Sequence, residues 1–127
     1  MGKAWERWAE QAYYDLDTAK AMLDSGRLLY VLFCCQQAVE KMLKGMIAEK
    51  TQEYPPRLHD LLTLAERAGL ELDPITVNIF RLLTSYYSKT RYPHELQPMA
   101  GRVDRDLAEE CLGQTEEVLS WLKSQLR

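Results

Sequence analysis

Apolar residues recur at steps of three and four in several separate stretches of this chain, each closed by a glycine, a proline or a short polar run. That spacing lines one face of a helix and is incompatible with a strand, whose faces alternate every second residue. The first stripe runs through Trp5, Trp8, Ala9, Ala12, Tyr13, Leu16, Ala19 and Leu23. Gly26 follows, suited to a left-handed C-terminal cap. A second stripe takes in Leu28, Leu32, Cys35, Val39, Met42, Leu43, Met46 and Ile47, and Pro55-Pro56 bars its continuation. The segment HDLLTLAERAG reads as one short helix opened by His59 and stopped at Gly69. Asp73-Pro74 is a cap followed by proline at the first helical position, and Ile75, Ile79, Leu82, Leu83 and Tyr86 carry that helix onward. After a loop, Asp104 caps a last helix buried through Leu107, Cys111, Leu112, Val118, Leu119 and Leu122. No stretch alternates with period two. The expectation is an all-α fold, an antiparallel up-and-down helical bundle of four long helices plus one short helix, with residues 1–127 as a single domain.

Composition narrows what such a bundle does. At 127 residues, 46% hydrophobic and 28% charged, the chain has enough apolar mass for one core. Cys34, Cys35 and Cys111 are odd in number and lack metal-ligand spacing, so they read as buried small hydrophobes. Two histidines and no Glu-x-x-His pair give no basis for a metal site, and no cofactor motif is present. The start MGKAWERWAEQ lacks the basic cap and apolar run of a signal peptide, and Glu6 stands where a myristoylation signal wants Ser or Thr. The uncharged run Leu28–Cys35 is far short of a membrane span. A soluble cytoplasmic protein is expected, with no membrane partner. Net charge is −3, which argues against a non-specific nucleic-acid binder. The charge is uneven, however. From Arg81 to Arg102 four basic residues face Glu95 alone, giving +3 against −6 for the remainder.

That positive stretch contains SKTRYPHEL, Ser88 to Leu96. Pro93 drives its predecessor toward extended backbone, so the fourth helix should stop near Thr90 or Arg91. Arg91 offers a planar fork of donors that matches a phosphate, and Tyr92 can stack on a base. His94 can donate to an anion or move a proton near neutral pH. The plain alternative is an arginine closing a helix C-terminus, whose partial negative charge attracts it. A second candidate lies on the second helix. Phe33, Gln37, Glu40 and Lys44, with Lys41 alongside, form a row beside the apolar stripe. Glu40 and Lys44 read either as a solvated i,i+4 pair or as a polar row at a subunit interface or cleft wall. Tyr14, off the main stripe like Phe33, could join an apolar patch for self-association.

Taken in order, WAEQAYYDLDTAK, FCCQQAVEKMLKG, HDLLTL and the Arg-Tyr-Pro after the fourth helix resemble the HEPN domain family (higher eukaryotes and prokaryotes nucleotide-binding) over essentially the whole chain. The resemblance implies an all-α bundle, usually a homodimer. It also implies nucleotide or RNA-phosphate binding around Lys89, Arg91, Tyr92 and His94, in partnership with a separate small nucleotidyltransferase as a toxin–antitoxin-like pair. Many members are instead metal-independent ribonucleases that use an arginine, four to six intervening residues and a histidine. Here His94 follows Arg91 after two residues; Leu96, Gln97 and Pro98 occupy the expected histidine positions, and Lys89 alone has the right spacing to His94. Cleavage by Arg91 and His94 is therefore the alternative reading, and a protein-interaction bundle without ligand is the third.

Overall fold

The computed structural model describes residues 3–126, the side chain of Gln97 excepted. Six helices follow one another: α1 (Ala4–Asp24), α2 (Leu28–Thr51), α3 (Leu61–Arg67), α4 (Pro74–Thr90), α5 (Pro93–Ala100) and α6 (Arg105–Gln125). Among the described residues there is no strand. The stops expected at glycines are made as the sequence suggests. Gly26 has φ 77°, and the N–H groups of Gly26 and Arg27 close back on the carbonyls of Leu23 and Met22. Gly69, at φ 76°, repeats the arrangement through Glu66 and Ala65. Three aspartates start helices: Asp60, Asp73 and Asp104 accept from the backbone N–H of Leu62, Thr76 and Leu107.

α2 is the axis of the molecule. It touches all five other helices, and 15 of its 24 residues are buried. A helix so enclosed has no fully solvated face, which decides the fate of its polar residues below. The hairpin with α1 is especially close at Gly45. A methyl group there would lie 2.7 Å from Trp8 Cβ and 3.3 Å from the Trp5 carbonyl, so only glycine lets the two backbones meet at this level. Phe80, Leu32, Met42, Leu43, Leu64, Leu83 and Leu119 fill the interior between α2 and its neighbours.

Two expectations need correction. The segment after Pro93 is a helix rather than a loop. Proline at a first helical position has its φ already set and gives up an N–H that would have no partner. Leu96, Met99 and Val103 then bring an apolar face down onto the core, with Met99 and Val103 buried. Ile75, placed on the buried stripe of α4, is instead 68% exposed, because the stripe turns inward only from Ile79.

The three cysteines are free, Cys35 and Cys111 buried and Cys34 half-buried. Burial pushes the Cys34 thiol up to about 11, with the Asp15 carboxylate adding to the effect. Burial likewise raises Cys35 to about 12 and Cys111 to about 12. Among the described residues no helix is long and apolar enough to cross a membrane.

Candidate functional site

The polar row of α2 and the Arg-Tyr-Pro segment, far apart in sequence, are joined by two residues that sequence reasoning did not connect to either. On α2, Glu40 and Lys44 are buried, and their side chains meet at 3.0 Å between Lys44 Nζ and Glu40 Oε2. The solvated reading of this pair is thus overturned. The other carboxylate oxygen, Oε1, accepts from Gln36 Nε2 at 3.0 Å and faces His59 Nδ1 at 2.9 Å. Gln36 is fully buried and uses the same amide nitrogen to reach the His59 carbonyl at 2.8 Å, while Gln37 donates to Gln36 Oε1 at 2.9 Å. A buried carboxylate needs such partners, since removing it from water is otherwise prohibitive.

His59 does not open α3. It stands one residue before the Asp60 cap, and its imidazole turns back onto α2. Its ring also packs on Tyr87 of α4, with centroids 5.1 Å apart and the Tyr87 hydroxyl 3.4 Å from Nδ1. Phe33 stacks on the same tyrosine at 5.1 Å, and Tyr30 meets Phe33 edge-on. One turn farther along α4, the Arg91 guanidinium carbon sits 5.7 Å from the Tyr87 ring centroid, in cation–π range. The connected set therefore runs Lys44, Glu40, His59, Tyr87, Arg91, with Gln36, Gln37 and Phe33 bracing it. Its inner end is buried; its outer end, His59 and Arg91, is exposed.

Arg91 is the C-terminal cap residue of α4, in keeping with the stop expected near Thr90 or Arg91. Yet among the described residues no carboxylate lies within ion-pair distance of Arg91 or Lys89. Tyr92 and His94 are both exposed, with rings 6.1 Å apart, beside the start of α5. The positive end of that helix partly offsets the negative end of α4. Of the sequence candidates on α1 and α2, two stay outside the set. Lys41 is paired with Asp15 of α1 at 2.8 Å, and Tyr14 is 73% exposed on α1. Gln36, His59 and Tyr87 are what the sequence reading did not assign to the site. The four-residue steps from Gln36 to Glu40 to Lys44 were the available signal.

A family model for the HEPN domain matches residues 5–125. Two solved structures share the fold. TT1696 from Thermus thermophilus is 28% identical, with a TM-score of 0.79, and the match covers 97% of this chain and 98% of that one. ST0689, described as an archaeal HEPN homologue, is 25% identical with a TM-score of 0.74 over 100% of both chains. No curated protein matches the sequence.

Proposed function

The chain belongs to the HEPN domain family, and from that premise we propose that it is a nucleotide- or RNA-phosphate-binding module whose principal contact is Arg91. The observation that carries this reading is an exposed guanidinium parked over the Tyr87 ring, with no carboxylate paired to it among the described residues. An arginine held by a ring face rather than by an anion keeps its donor fork open for one. Lys89, Tyr92 and His94 lie on the same short stretch, Lys89 supplying charge and Tyr92 a stacking surface. The module works as a homodimer and with a separate nucleotidyltransferase subunit. A stable complex on co-expression with a nucleotidyltransferase encoded beside it would support that partnership, and separate elution would remove it.

The direct test is calorimetric titration of wild type and Arg91→Ala with a short oligoribonucleotide at low salt. Loss of one charged contact is expected to weaken binding by about tenfold or more, with the melting curve unchanged. Equal affinity in the two proteins would sink the assignment of Arg91.

A further inference from the structure

We propose that His59 is the second anion-binding group of the Arg91 site, and that the pair selects a terminal phosphate monoester over an internal phosphodiester. The proposal rests on the reading of Arg91 as a phosphate contact and goes on to the class of phosphate.

The tautomer follows from the hydrogen bonds. Glu40 Oε1 can only accept, so the His59 Nδ1 that faces it at 2.9 Å carries hydrogen. The second ring nitrogen is left for an external partner, and the His59 side chain is 45% exposed. The charge balance is what makes this an anion site. A histidine beside a lone carboxylate forms a self-neutralised pair that offers an anion little. Here Lys44 already occupies Glu40 Oε2 at 3.0 Å, so the carboxylate is balanced before His59 takes up a proton. Protonation of His59 therefore adds a net positive charge at the exposed end of the set.

The other groups near the imidazole are one carboxylate, one phenol and one guanidinium. Asp60, its chain neighbour, keeps its charge but turns both oxygens to the start of α3, accepting from the Leu62 N–H and the Thr63 hydroxyl. From α4 the facing groups are the Tyr87 phenol and, past the same ring, the cationic Arg91. With His59 protonated the site presents two positive charges around one buried tyrosine. A phosphate monoester carries up to two negative charges and a phosphodiester only one, so the complement is the monoester.

The experiment compares two dinucleotides, ApA and its 5′-phosphorylated form pApA, by calorimetry at low salt and pH 6.5. Wild type is expected to favour pApA by about tenfold at pH 6.5. His59→Gln retains an amide donor for Glu40 but cannot charge. Its preference for pApA should be small. Arg91→Ala should weaken both dinucleotides. A measurement on wild type guards against a misfolded variant: the ring-proton resonances of His59, one of only two histidines, should shift on saturation with pApA and hardly with ApA. Equal affinities of wild type for the two dinucleotides, or a still His59 resonance, would overturn the proposal. Continued weakening by Arg91→Ala would then leave the Arg91 reading standing. Binding of neither dinucleotide would overturn both.

Discussion

Glu40 shows how a single buried carboxylate organises its surroundings. It is approached by an ammonium, an amide and an imidazole from α2 and the segment before α3. Replacing Glu40 by Ala would leave Lys44 as an uncompensated buried charge and is expected to cost about 3 kcal/mol of stability, read as a lowered denaturation midpoint. Replacing both Glu40 and Lys44 by Met should recover most of that loss, since the pair itself need not stabilise the fold. A double variant as unstable as the single one would show that the hydrogen bonds of Glu40, rather than the stranded charge, carry the energy. At this scale the sequence was only partly legible. The acid-first spacing of Glu40 and Lys44 identified a pair, but a solvated and a buried pair look alike until the neighbours are known. His59 could not be assigned because its partner lies 19 residues earlier, on another helix.

Among the elements, the helices whose caps and periodicity agree were the most legible. Asp73 opens α4 as its sequence suggests, and the 2.7 Å hydrogen bond from the Thr76 N–H holds its carboxyl below the ordinary carboxylate range. The sign of the linkage follows. A lowered folded value means that the ionised cap contributes stability above the unfolded value, and that the contribution is lost as pH falls through the folded one. Asp73→Asn keeps an acceptor that does not titrate. Its stability should therefore fall less steeply than that of wild type below about pH 4, as checked by urea denaturation at several acid pH values. Identical slopes would remove the cap from the acid response. α5 was missed for the opposite reason. Pro93 and Pro98 are the same residue type with different meanings, and only the inward face of Leu96 and Met99 reveals that the first proline starts a helix.

For the molecule as a whole, the bundle architecture was legible because the apolar spacing repeats along nearly all of the chain. The site was less so, because it forms where α2, α4 and the segment before α3 converge. For the proposed homodimer, the surface we assign to the second copy is the aromatic strip beside the site, from Tyr30 (41% exposed) to half-buried Phe33. Sedimentation is expected to give twice the chain mass, with Tyr30→Glu shifting the population toward monomer. A wild-type monomer mass at every concentration would contradict this arrangement. The same packing that forms the core also determines the covalent chemistry open to the folded protein. With its thiols held at about 11 and about 12, almost none of the native sulfur is thiolate at neutral pH. A cysteine introduced at exposed Tyr92 would be the reactive one, so a fluorophore or spin label could be attached beside Arg91 without first removing the three natural cysteines.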